Sequence, residues 1–207
     1  MNLNCYYWVF PSALSHRFCD DVIQYALSKP EKTAKTGAFG DKKLSKEELF
    51  QLKTTRDSDV VWLSEQWIYN ELHPYVHEAN SRAGWNFQWN YSEAAQFTKY
   101  KLNQFYDWHN DSSDKPYDKP DDPNSHGKIR KLSAAVSLVD SSEYEGGDFE
   151  FDFRNNDDGS NIPRVCEEIK PKGSIVVFPS FVWHRVKPVT SGTRYSLVIW
   201  NLGWPFK

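Results

Sequence analysis

The 207-residue sequence predicts a mainly β fold with supporting α-helices, a jelly roll with N-terminal helices packed on one sheet. Two observations carry this reading. Helical periodicities dominate residues 1–84, and after Gly84 the pattern changes to a two-residue repeat that runs through about eight short strands to Trp200. Nothing reads as a linker between two cores. One domain is therefore expected over 1–207, with 1–84 as helical scaffold and 85–207 as jelly-roll core.

Tyr6-Tyr7-Trp8-Val9-Phe10 is β-prone and stops at Pro11. Ser15 then offers an N-cap for a helix through Leu27, with Phe18, Val22, Ile23 and Ala26 on one stripe. Gly37, Gly40 and neighbouring lysines mark an exposed loop, and Ser45 with Glu48 has the capping-box spacing for a short helix. A longer helical pattern from Ser64 to about Ala83 presents Trp67, Ile68, Leu72, Val76 and Ala79, and Pro74 predicts a break or a new helical start inside it. His73 and His77 are four residues apart, but no acidic residue suited to a zinc site lies between them, so they read as solvent-side histidines. Trp85 to Tyr91 alternates apolar and polar residues as a strand would. Further strands are expected at about 94–101, 131–139, 148–153, 165–170, 174–178, 182–187 and 193–201.

The net charge of −3 argues against nucleic-acid binding as the main task. Cys5, Cys19 and Cys166 form no metal spacing and leave an odd thiol, which fits a reduced, cytoplasmic compartment. With no signal-peptide pattern and no long apolar run, a soluble protein without membrane contact is expected.

The chemistry is carried by His109-Asn110-Asp111, followed downstream by His184 and then by Arg194. Two imidazoles and a carboxylate can hold three adjoining positions of a ferrous ion and leave the opposite positions open. A guanidinium fork one strand beyond the second histidine suits a small dicarboxylic acid bound to that metal. In the last strand Arg194, Ser196, Val198 and Trp200 share a face, and Gln96, Thr98 and Tyr100 share one in an earlier strand. If Arg194 points into the barrel, Trp200 must do so too.

The segment Tyr100-Lys-Leu-Asn-Gln-Phe-Tyr106-Asp-Trp-His109-Asn-Asp111 resembles the Y-x-x-G-x-x-Y-x-x-H-x-D stretch of prolyl-4-hydroxylase-like Fe(II)/2-oxoglutarate-dependent oxygenases. His184-Arg-Val-Lys-Pro188-Val189-Thr-Ser-Gly192-Thr-Arg194, running on to Trp200, is similar to the H-x-V-x-P-V-x-x-G-x-R…W end of the PKHD-type branch. Arg130-Lys-Leu-Ser133 and Tyr144-Glu-Gly146-Gly147-Asp148 match two motifs between them, and the resemblance spans Tyr91 to Trp200. Two positions depart from the pattern. Asn103 replaces a small residue, and Phe149 stands where plant-like members place a threonine near the co-substrate.

The resemblance implies a double-stranded β-helix in which His109, Asp111 and His184 ligate Fe(II). It also implies that Arg194 and Tyr100 hold the distal carboxylate of 2-oxoglutarate, with dioxygen as oxidant and ascorbate in support. Tyr106, Arg130 and Trp200 occupy positions that contact peptide in prolyl 4-hydroxylases, so the expected partner is a peptide or protein containing proline. Ser112–Lys128, polar and broken by Pro116, Pro120 and Pro123, reads as a loop at the mouth of the site and a candidate lid; His126 within it is not expected to bind metal. Asn155–Asn161 reads as an exposed turn whose carboxylates could take surface calcium, without the ligand order of a dedicated site. A free amino acid or other small metabolite is the alternative substrate. The alternatives from other classes are a catalytically silent jelly-roll binding or sensing module and a zinc hydrolase using the same three ligands.

Overall fold

Residues of period two and residues of helical period meet along one large antiparallel sheet. The computed structural model describes Leu3 and residues 5–36, 44–153 and 163–206. In chain order the strands are β1 (Trp8–Phe10), β2 (Lys32–Thr33), β3 (Arg56–Asp57), β4 (Asp59–Leu63), β5 (Tyr91–Ser92), β6 (Ala95–Tyr100), β7 (Phe105–His109) and β8 (Ile129–Ser137). They continue as β9 (Tyr144–Gly146), β10 (Phe149–Asp152), β11 (Arg164–Val165), β12 (Ile175–Pro179), β13 (Trp183–Val186), β14 (Val189–Gly192) and β15 (Arg194–Gly203). The major sheet runs β1-β12-β8-β15-β6-β4-β2 with β5 beside β15, the minor sheet runs β11-β10-β13-β7-β3, and β14 pairs with β9. This is the expected jelly roll. Among the described residues, 1–84 hold three helices and also supply strands to both sheets.

The alternation of β15 divides two cores. Leu197 and Ile199 face the helices, together with Phe97, Leu132, Val136 and Val177. Between the sheets, Tyr100, Ala135, Val176 and Phe178 meet Phe149, Phe151 and Val186. Helix α1 (His16–Leu27) is capped by Ser15, whose side chain accepts from Phe18 N, and it buries Phe18, Val22 and Ala26 of the expected stripe together with Cys19, while Ile23 is only partly buried. Helix α2 (Lys46–Thr55) has the full Ser45/Glu48 capping box.

Three expectations need correction. Helix α3 (Gln66–Arg82) runs unbroken through Pro74. Both Pro74 and Asn70, whose carbonyl loses its helical partner, lie on the exposed side of the helix. Burial of Ile68, Leu72, Val76 and Ala79 offsets the cost, about 3 kcal/mol. Second, 85–90 alternates in burial but joins no ladder; only Tyr91–Ser92 does. The Asn80 side chain bonds both the N–H and the C=O of Phe87, at 2.9 Å each, taking the groups a neighbouring strand would use. Third, the strand expected at 165–170 is only Arg164–Val165, followed by a 3-10 turn at Glu167–Ile169 before Pro171. The loop at Gly37 and Gly40 and the turn Asn155–Asn161 lie outside the described residues. Among the described residues, no helix is long and apolar enough to cross a membrane.

Gly146 has φ +71°, and a Cβ there would meet Pro188 O at 2.4 Å. This fixes the β9–β14 pairing that precedes Arg194. Gly146→Ala should therefore lower stability by roughly 1–3 kcal/mol, read as a fall in the urea midpoint at unchanged slope.

Candidate active site

His109 closes β7 and His184 lies in β13, and the two residues are direct partners in the ladder of the minor sheet. Their ring centroids are 4.2 Å apart. Asp111 is brought to them by a turn in which the N–H groups of Asp111 and Ser112 both donate to Ser180 O, at 2.8 and 2.9 Å. One carboxylate oxygen lies 3.9 Å from His109 Nε2 and the other 3.6 Å from His184 Nε2. Ligand atoms of the three residues all fall within 4.8 Å of one another.

Local hydrogen bonds orient these groups. His109 Nδ1 lies 2.7 Å from Asp107 O and His184 Nδ1 lies 3.0 Å from Val182 O. A carbonyl only accepts, so each Nδ1 carries a proton, and Nε2 is the nitrogen that each ring turns toward a metal. Ser133 Oγ donates to Asp111 Oδ2 at 2.7 Å and lies 2.9 Å from Ser180 Oγ. Burial opposes ionisation of Asp111, but His184, His109, Arg130 and the Ser133 hydroxyl together hold its carboxyl below the ordinary value. Burial, with His184 beside it, pushes His109 well below the ordinary imidazole range. The set is two imidazole nitrogens and one carboxylate, the donor types a divalent iron takes.

The His109 shift has a stability consequence. Its folded pKa lies below its unfolded value of about 6.5, so only the unfolded chain takes up this proton as pH falls through that value. The metal-free protein should lose stability below about pH 6.5, and His109→Gln should remove that part of the loss. Urea midpoints at several pH values check both statements.

Aromatic rings wall the histidines. Phe149 and Phe178 lie 5.5 and 4.7 Å from the His184 ring, so the phenylalanine that departs from the plant-like pattern packs directly on a candidate ligand. Tyr106 stacks on His109 at 3.4 Å and 12°, and Arg56 lies 4.3 Å over the other ring of that stack, Tyr106. Burial pushes the Tyr106 hydroxyl up to about 12, which keeps it a donor. Asn103, the other departure, has φ +65°, a conformation asparagine tolerates better than most residues, and its N–H donates to Val189 O at 2.8 Å.

Arg194 pairs with Tyr100 across β15 and β6, its guanidinium carbon 5.5 Å from the tyrosine ring centre. Gly147 leaves room for it, since a Cβ there would lie 3.0 Å from Arg194 Cδ. Arg194 is 2% exposed, and its Nη1 is buried without a hydrogen-bond partner. A buried donor of this kind fits the carboxylate of a bound dicarboxylic acid.

Tyr106, Arg130 and Trp200 line one open cleft of about 1130 Å³ that reaches Asp111. Arg130 lies 3.9 Å over Trp200 and pairs with Glu93 at 2.6 Å. Trp200 Nε1 is buried and unpartnered, and Trp62 continues the aromatic floor at 6.0 Å. The loop 112–128 folds on itself through Tyr117 N to Lys128 O and Gly127 N to Tyr117 O, both 2.9 Å, and Tyr117 faces the cleft. His126 accepts from Lys119 N at 3.1 Å and lies outside the His109, Asp111 and His184 group. His73 is not a solvent-side histidine. It lies 3.0 Å from Ser92 Oγ with its ring against Trp89, on which His77 also stacks.

Sequence reasoning missed Arg56, Glu93, Trp62 and Tyr117, and assigned no role to Ser180. Only the last two lie near a motif in sequence. Arg56 reaches the site by strand pairing between β3 and β7, where Arg56 opposes Tyr106.

Similarity to known proteins follows the same residues. The 2OG-Fe(II) oxygenase superfamily model matches residues 95–201. A PKHD-type hydroxylase of Synechococcus sp. strain CC9902 is 37% identical over 95 residues, 46% of this chain and 35% of that protein. One from Pseudoalteromonas atlantica is 30% identical over 107 residues, 51% of this chain and 41% of that protein. The alignments thus span well under half the length of these curated relatives. The fold is similar to that of the viral collagen prolyl hydroxylase of Paramecium Bursaria Chlorella virus-1 in complex with 2OG. Its TM-score is 0.63 at 21% identity, over 97% of each chain. A Trichoplax adhaerens prolyl hydroxylase in complex with a hypoxia inducible factor peptide gives 0.68 at 14% identity, over 94% of this chain and 82% of that one. The family match runs from β6 into β15 and contains His109, Asp111, His184 and Arg194, and the chain belongs to the 2OG-Fe(II) oxygenase superfamily.

Proposed function

We propose that the protein is an Fe(II)- and 2-oxoglutarate-dependent dioxygenase that hydroxylates a prolyl residue of a peptide or protein. The observation that carries this reading is the single cleft that joins Tyr106, Arg130 and Trp200 to Asp111. His109, Asp111 and His184 would hold the metal, and Arg194 with Tyr100 would receive the distal carboxylate of 2-oxoglutarate. Bound iron and 2-oxoglutarate would supply, with dioxygen, the oxidising power for C–H hydroxylation, with succinate and carbon dioxide as by-products.

The chain's own residues do the rest. The two carbonyl-bound Nδ1 groups fix both imidazoles, and Ser133 fixes the carboxylate between them. Phe149, Phe151 and Phe178 keep the inner end of the barrel apolar and exclude water. Tyr106 and Trp200 offer aromatic surface to a pyrrolidine ring, and the Trp200 Nε1–H and Arg130 offer donors to peptide carbonyls. The three cysteines are free thiols, which supports a reducing, cytoplasmic setting.

Mass spectrometry of proline-containing peptides incubated with Fe(II), 2-oxoglutarate and ascorbate tests the substrate. Gain of one oxygen on proline is the expected result. Shortening the 112–128 loop should reduce peptide hydroxylation far more than peptide-independent succinate formation, since Tyr117 presents the loop to the cleft. Equal loss of both would make the loop a support of the metal site. Succinate formation by free amino acids but not by peptides would move the reading to a small substrate. A silent binding module would form no succinate, and a zinc hydrolase would work with zinc and need no 2-oxoglutarate.

A further inference from the structure

Two arginines are buried among the described residues, Arg194 and Arg56, and neither has a carboxylate partner. Burying a guanidinium without an anion is costly, so each marks a place where an anion is expected. On the oxygenase reading, one carboxylate of 2-oxoglutarate answers Arg194 and its other end goes to the metal. Arg56 is left over. It is 4% exposed and lines the cleft beside Tyr106 and Asp111.

The Arg56 guanidinium is held in place by neutral acceptors. Nε donates to Ser58 Oγ at 3.1 Å, Nη1 to Lys35 O at 3.3 Å, and Nη2 to Gln96 Oε1, while Tyr106 covers one face at 4.3 Å. Three of the five N–H groups are used, leaving donors for a ligand. The surroundings match this charge. Five basic side chains line the cleft against three carboxylates, in a chain whose net charge is −3. Of those carboxylates, Glu93 is taken by Arg130, Asp111 by the metal group and Asp122 by Ser125.

We infer that Arg56 is a specificity-determining residue that binds a carboxylate of the primary substrate, next to the carbon that is oxidised. This inference rests on the oxygenase reading but not on proline as the target. The carboxylate comes either from an acidic side chain beside the target residue in a peptide or from the α-carboxylate of a free amino acid. Tyr106, stacked between Arg56 and His109, sets this carboxylate close to the metal side of the cleft.

The test is binding, measured calorimetrically and without oxygen on the full chain loaded with Fe(II) and 2-oxoglutarate. The probes are matched pairs that differ only in charge: proline peptides with Asp or Glu against Asn or Gln beside the proline, and proline against prolinamide. The acid member of at least one pair should bind about 10-fold tighter or more, and the pair that shows it identifies the source. Arg56→Gln should bring the ratio to within about 2-fold, and Arg56→Lys should restore part of it. A merely structural arginine would weaken both members of a pair equally and leave the ratio unchanged. Ratios near unity in the unaltered protein, a preference that survives in Arg56→Gln, or no binding by any carboxylate probe overturns the inference. Failure of the oxygenase reading shows separately, as absence of succinate formation with Fe(II).

Discussion

Asp111→Ala should weaken Fe(II) binding by on the order of 100-fold or more and abolish 2-oxoglutarate turnover, while the metal-free chain keeps its fold. Asp111 provides the only anionic group in the candidate ligand set, set between two imidazoles at 3.9 and 3.6 Å. Two imidazoles alone hold a hard divalent ion poorly. The structural cost is small by comparison. Ser133 loses one acceptor and keeps Ser180 Oγ at 2.9 Å, so a loss of only about 1 kcal/mol is expected. The turn that carries residue 111 depends on backbone bonds to Ser180 O, which alanine keeps. Equilibrium dialysis with Fe(II) under nitrogen, alongside thermal melting, separates the two effects. Metal affinity within 3-fold of the unaltered protein would dissociate the three residues from the metal.

Much of this site was legible because its parts carry local signals. His109 and Asp111 lie two residues apart at a strand end, and the alternation of β15 places Arg194 and Trp200 on one face without any tertiary information. Cap signals at Ser15 and Ser45 fixed two helix starts in the same way. What failed depends on contacts that the local period does not encode. Asn80 takes the backbone groups of Phe87 that a ladder would use, and the buried face of α3 carries the helix through Pro74 on its exposed side. Neither can be read from a local pattern. Arg56 was missed for the same reason. Its flanking residues Asp57 and Ser58 read as a polar connection, and only the pairing of β3 with β7 sets it on Tyr106.

Arg194 should show opposite signs in function and stability. Replacing it by lysine should raise the 2-oxoglutarate requirement by about 10-fold or more, because an ammonium cannot make the planar two-bond contact. Arg194→Met should raise it further and leave the affinity for Fe(II) alone largely intact, since Arg194 is not one of the grouped ligands. In the ligand-free protein the same methionine should be neutral or stabilising. The wild-type guanidinium is buried with Nη1 unsatisfied, and a side chain of similar volume without that charge removes the desolvation cost. Addition of 2-oxoglutarate and a divalent metal should then reverse the order of thermal stability, because only the arginine form gains the ligand's binding energy. A structural arginine predicts the opposite pattern, destabilisation by methionine in the ligand-free state and an unchanged 2-oxoglutarate requirement. Melting curves with and without 2-oxoglutarate, set beside succinate formation, decide between them.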